Sequence, residues 1–203
     1  MFKLPKDLSY VDIYRTGVLG GLWSFIEITF GTWLHSAKIP FRGLILSLVA
    51  ASLLAFAKNI LHYRGSLIML GLITITIKTS LTGVFILNPI IAIFLESIFA
   101  EFTFLVFKPN LFSSMLCGAS VLFYTFMHSV IAQIFFFGFD IIKVYVAIIG
   151  KFIQLPIEKS TYALILVLGY LLIHVILGTF AGLFGFKLSE KTKLILLQKY
   201  ENN

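Results

Sequence analysis

The stretch LFSSMLCGASVLFYTFMHSVIAQIFFF (111–137) contains no Asp, Glu, Lys or Arg. A helix needs ~20 mostly apolar residues to cross the hydrocarbon core of a bilayer, so this stretch reads as one complete span. It is too long for a barrel strand and does not alternate apolar with polar residues. The same reading carried outward predicts five more spans, at about 16–34, 43–57, 66–85, 89–107 and 161–184. The 43–57 run is short, so it must tilt or borrow its flanks. Asn88-Pro89 marks the start of the fourth span, because proline fits the first turn of a helix. The expected fold is therefore an all-α polytopic bundle of about six transmembrane helices, forming a single membrane domain over residues 1–203.

Composition agrees. Hydrophobic residues make up 59% of the chain and charged residues 12%, against about 45–50% and 25% in soluble domains, and mean hydropathy is +1.01. So few charges cannot coat a water-soluble globule, which excludes a soluble enzyme, a disordered chain and a disulfide scaffold. The net charge of +7 does not point to nucleic acid, because the basic residues form no contiguous stripe and no binding motif. The lone Cys117 excludes an intramolecular disulfide, and His35, His62, His128 and His174 lack metal-ligand spacing. No metal and no cofactor is expected. The polar N-terminus is not followed by a small-residue cleavage site, so no removable signal peptide is expected.

Two segments are less regular. FDIIKVYVAIIGKFIQLPIEKS (139–160) is apolar but broken by Lys143, Gly150, Lys151 and Pro156. It is expected to lie as an interfacial helix between spans five and six, with a further span as the alternative. The tail KLSEKTKLILLQKYENN reads as a short surface helix. With six spans and both ends on one side, that side carries Lys3, Lys6, Arg15, Lys58, Arg64, Lys108, Lys187, Lys191, Lys193 and Lys199, ten in all. The other side carries Lys38, Arg42, Lys143, Lys151 and Lys159, five in all. The positive-inside bias then predicts a multi-pass protein of the cell membrane with both termini cytoplasmic.

Charged side chains within spans cost at least ~2.5–3.5 kcal/mol each and usually face a bundle interior. Four stand out: Glu27, Lys78, Glu96 and Glu101, the last nearer the cytoplasmic side. Glu27, Lys78, Glu96 and His128, with Asn88 at the head of span four, are expected to line a substrate-binding pocket at middle-to-outer depth. The alternatives are a structural Lys78–glutamate pair that only fixes helix register, or a lysine that snorkels to the interface. Gly17, Gly21, Ser24, Glu27, Gly31 and His35 recur at three- or four-residue spacing and share a face; Gly17 and Gly21 suit close approach by another helix, inside the bundle or from a partner. Trp33 suits the membrane interface, and Trp23 suits packing.

There is no phosphate-binding GxxxxGK[ST] loop, so the chain has no nucleotide motor of its own. HExxH and G-x-S-x-G are also absent, and no enzymatic activity is expected.

GVLGGLWSFIEITFGTWLHSAKIPFRG (17–43), followed by KTSLTGVFILNPIIAIFLESIFAEF (78–102), resembles the substrate-binding membrane subunits (S components) of energy-coupling-factor transporters. The likeness lies in the small-residue face of the first helix and in a connection with Lys38, Pro40, Phe41 and Gly43. It implies capture of a small-molecule nutrient and docking of Gly17, Gly21 and Ser24 on a transmembrane coupling subunit. It also implies energy from cytoplasmic ATPases, and a gate formed by the 35–43 connection, with His35, Lys38 and Pro40. Glycine rather than alanine stands at the docking positions. The competing expectations are a membrane scaffold that binds other proteins through helix faces, and an intramembrane enzyme.

Overall fold

The computed structural model describes residues 9–39, 41–83, 87–138 and 160–201. These form six helices and, among the described residues, no strand: α1 Tyr10–Ser36, α2 Arg42–Ile60, α3 Ser66–Thr82, α4 Leu87–Val106, α5 Leu111–Phe137 and α6 Ser160–Glu201. Helices α2, α4, α5 and α6 are each long and apolar enough to cross a membrane. Helix α3 is apolar but has only 17 residues, about 26 Å at ~1.5 Å per residue. Helix α1 has 27 residues and carries Asp12, Arg15 and Glu27. Large apolar side chains such as Phe25, Phe102, Ile131 and Phe180 point outward. A bundle that is apolar on its outside as well as in its core has lipid as its solvent. The chain is an all-helical membrane protein.

Helix α2 touches each of the other five helices. Its sequence explains this: Ser47, Ala50, Ala51, Ala55 and Ala57 are buried and small, so neighbours can approach on several sides at once. Around it, α1 packs on α3, α3 on α4, α4 on α5 and α5 on α6. Contacts between α1 and α3 climb together, from Gly20 against Ile73 to Ser24 on Thr74 and Glu27 on Lys78, so these helices run parallel. Those between α5 and α6 run oppositely. A Cβ on Gly118 would strike the carbonyl of Gly178, and one on Gly182 would strike the carbonyl of Ser114. Gly185 meets the backbone of α2 at Ser52 in the same way. Gly178, Gly182 and Gly185 thus let α6 lie backbone to backbone against two helices, a contact that only residues lacking Cβ permit.

Two expectations change. The tail is not a separate surface helix: α6 continues without a break for 42 residues, to Glu201, about 63 Å at ~1.5 Å per residue. Lys187 to Glu201 contain neither proline nor glycine, so nothing ends the helix after the apolar run. Lys58 is not a surface loop charge either, because it is buried at the end of α2 (below). The expected interfacial helix at 139–160 lies outside the described residues, apart from Ser160.

Candidate functional site

Two polar clusters cross the bundle at different levels. The first lies toward the α2–α3 connection. Lys58 Nζ donates to Glu101 Oε1 at 2.7 Å, to the Tyr63 carbonyl at 2.9 Å and to Ser66 Oγ at 3.0 Å. Glu101 accepts two further bonds, from the backbone N–H of Gly65 at 2.8 Å and of Leu67 at 3.0 Å. Gly65 is the N-cap of α3, at φ 78° with no side-chain cap. A carboxylate from α4 therefore caps α3, where orphan N–H groups and the helix dipole favour an anion. Around this pair, Asn59 Nδ2 donates to Ser114 Oγ of α5 at 2.9 Å. Thr16 Oγ1 of α1 lies 2.7 Å from the Asp12 carbonyl and 2.7 Å from the Tyr63 phenol. Burial pushes the Tyr63 phenol above its ordinary range, opposed by the Thr16 bond. Every proton of the Lys58 ammonium has an acceptor, so this cluster is closed.

The second cluster lies toward the α1–α2 and α3–α4 connections. Lys78 Nζ donates to Glu27 Oε2 at 2.7 Å, joining α3 to α1. Glu96 on α4 is 4% exposed, and its Oε1 accepts from Ser47 of α2 and from Thr125 of α5 at 3.4 Å. Glu27 and Lys78 both lie within electrostatic range of Glu96. On the far side, His128 Nε2 lies 2.7 Å from Asn88 Oδ1 and His128 Nδ1 3.1 Å from the Tyr124 hydroxyl. Because Asn88 Oδ1 only accepts, Nε2 carries the proton, and Nδ1 accepts from Tyr124. Tyr124 stacks on Phe99 with centroids 5.2 Å apart. Five helices thus contribute to one cluster: Glu27, Ser47, Lys78, Glu96 with Asn88, and Tyr124 with Thr125 and His128.

The cluster is not saturated. Among the described residues no donor reaches Glu96 Oε2 or Glu27 Oε1. Neither atom is sealed from solvent; Trp23 Nε1 is the sole fully buried, unpartnered side-chain polar atom among the described residues. At the end of the bundle nearest the connections, Asn88 is exposed and His128 half-buried. Among the described residues no three His, Cys, Asp or Glu side chains gather in a metal-binding arrangement.

The structure sorts the other sequence-derived residues. Ser24 is fully buried and donates to the Thr74 carbonyl at 2.8 Å, so it is spent on α3 and cannot dock a partner. Gly17 and Gly21 sit to the side of that face, and a Cβ on either would meet nothing. The small-residue face therefore divides, since ~100° per residue sets Gly21 well away from Glu27. His35 contacts Arg42 across the α1–α2 connection. Within it, Lys38 and Phe41 adopt the left-handed region, at φ 52° and 58°. Phe41 reaches Tyr170 of α6, centroids 6.2 Å apart. Pro40 lies outside the described residues.

Sequence reasoning missed the partners Ser47, Thr125 and Tyr124, the Lys58–Glu101 pair and the Gly178–Gly182–Gly185 face. The glycine spacing was a readable signal; single hydroxyl residues in apolar runs carry none. Comparison with known protein families, with curated proteins and with solved structures finds no match to this chain.

Proposed function

We propose that the protein is a substrate-capture subunit of a transporter, holding a small polar nutrient at the Glu27–Lys78–Glu96–His128 cluster. It would lie in the cell membrane with both termini in the cytoplasm, where nine of the ten basic residues assigned to that side remain once Lys58 is set aside. On this reading the cluster opens outward. The observation that carries it is the unsaturated carboxylate of Glu96. A group so costly to bury is positioned by hydroxyls from two helices, yet one of its oxygens is left without a donor. A purely structural carboxylate is expected to be closed on all sides, as Glu101 is. With no motor motif in the chain, energy would come from a separate coupling subunit and cytoplasmic ATPases, as the resemblance to energy-coupling S components implies. The open flank at Gly17 and Gly21 is compatible with such a contact.

Native mass spectrometry of the purified chain tests this. The expected result is a retained small molecule that disappears in E96Q while the protein stays folded. A folded chain that carries nothing, from any growth medium, would overturn the reading.

A second reading has its own support. Glu27 and Lys78 close on each other at 2.7 Å, as a register-fixing pair in a membrane scaffold would. E27Q and K78M separate the two. If each misfolds and E27Q/K78M restores folding, the pair is structural. If each folds but loses the retained molecule, it belongs to the pocket.

A further inference from the structure

The capture reading leaves the chemical class of the cargo open; the charge balance of the cluster narrows it, and the inference rests on that reading. We propose that the site recognises a protonated amine, held at Glu96 Oε2. The Lys78 ammonium is already matched by Glu27 at 2.7 Å. Glu96 has no cation in hydrogen-bond contact; its Oε1 has only the hydroxyls of Ser47 and Thr125. A buried carboxyl with no cation in contact is relieved of the cost of its charge either by a proton or by a cationic ligand. A single positive charge on the ligand can take the place of that proton and leaves the cluster neutral, whereas an anionic ligand would add a negative charge that nothing in the cluster meets.

Hydrogen-bonding capacity points the same way. His128 has both ring nitrogens engaged, with Asn88 and Tyr124, so it offers an incoming group nothing. The oxygens left over beside the buried hydroxyls are Glu96 Oε2 and Glu27 Oε1, and an N–H-bearing cation is the natural complement to a carboxylate. The stacked Phe99 and Tyr124 rings neighbour Glu96 along α4 and α5, and aromatic faces favour cations over anions. A bare alkali cation would share the charge but would not need those rings.

The test uses the full-length chain in detergent and an apolar carbodiimide, dicyclohexylcarbodiimide, which adds to carboxyl groups in apolar surroundings. Peptide mapping by mass spectrometry reads the adduct at Glu96 separately from Glu27. The probes are phenethylammonium and methylammonium, with phenylacetate, 2-phenylethanol and sodium as counterparts. Glu96 is expected to label, and phenethylammonium is expected to slow labelling about tenfold at roughly ten times its half-effective concentration. Phenylacetate, 2-phenylethanol and sodium should leave the rate unchanged.

Absence of a Glu96 adduct, or equal slowing by the neutral or anionic counterpart, overturns the proposal. Slowing by sodium as strong as by the ammonium ions assigns the site to an alkali cation and overturns the amine. If the ammonium probes fail while native mass spectrometry finds an anionic or neutral molecule lost in E96Q, the class is wrong and the capture reading survives. If no retained molecule is found and no probe protects, both fall.

Discussion

Removing Glu101 should cost more than removing Lys58, although the two form one ion pair. Both are buried, with side chains 7% and 2% exposed for Lys58 and Glu101. Breaking a buried pair by deleting one member costs about 3–5 kcal/mol, because the survivor is left as an uncompensated charge. The survivors differ here. In K58M the Glu101 carboxylate keeps the N–H groups of Gly65 and Leu67 and the N-terminal dipole of α3, so the loss should fall at the lower end, about 3 kcal/mol. In E101A the Lys58 ammonium keeps only the Tyr63 carbonyl and Ser66 hydroxyl, and two backbone N–H groups lose their acceptor. Each such orphan adds roughly 1–3 kcal/mol, so E101A should lose 5 kcal/mol or more. The double variant K58M/E101Q removes both charges while leaving an amide oxygen to cap α3, and should recover most of the loss of K58M. Equilibrium unfolding of the purified chain in mixed micelles, followed by tryptophan fluorescence, measures all three. Equal losses for K58M and E101A, or losses below about 1 kcal/mol in both, the range of a solvent-exposed pair, would refute the account of Glu101 as a buried cap held against Lys58.

Other outcomes follow from the packing. G118A and G182A should each destabilise by about 1–3 kcal/mol, since the new Cβ meets helix backbone that cannot rotate away; unchanged unfolding midpoints would show that α5 and α6 lie further apart. G17A and G21A, where a Cβ meets nothing, should stabilise the isolated chain by up to ~1 kcal/mol through helix propensity, and a loss in the same assay would reveal a neighbour on that flank. G65A should cost about 1–2 kcal/mol, because a non-glycine residue at φ 78° is strained by its Cβ; a neutral result would mean that the α2–α3 connection relaxes freely.

The membrane class was legible in the sequence because it rests on composition and run length, which lipid reads directly. Two helix starts carry a local signal: Asn88-Pro89 stands at the head of α4, and Asn110, with its side chain accepting from the Ser113 N–H at 2.8 Å, caps α5. Where no signal exists the reading drifted, as at the end of α6, which has no stop residue. The charged members of the second cluster were legible for an energetic reason, since ionisable groups in apolar runs are costly and usually face a bundle interior. Their hydroxyl partners were not, because Ser47 and Thr125 are cheap in a helix and fit equally well as packing residues. Lys58 was misread because charge at the end of an apolar run normally belongs to the interface. Only tertiary structure shows the chain turning at Leu61–Gly65, so that Lys58 folds inward to meet an acid 43 positions away.

Glu96 and Glu101 sit five residues apart on one helix and illustrate how neighbours dictate what a buried carboxylate can do. Glu101 is met by a full positive charge and two amide N–H groups, a set that leaves it neither the need nor the room for a ligand. Glu96 meets one hydroxyl from α2 and one from α5, which orient it without neutralising it, and the nearest ammonium is taken by Glu27. Exchanging these environments makes the argument testable within the protein. S47K would set a tethered ammonium on α2 facing Glu96, in place of the Ser47 hydroxyl. If the unpaired carboxyl of Glu96 is what the site uses, S47K should fold, carry no small molecule in native mass spectrometry, and resist carbodiimide at Glu96 as the wild type is expected to do with phenethylammonium bound. A folded S47K chain that still retains its cargo would mean that Glu96 is not where the cargo is held.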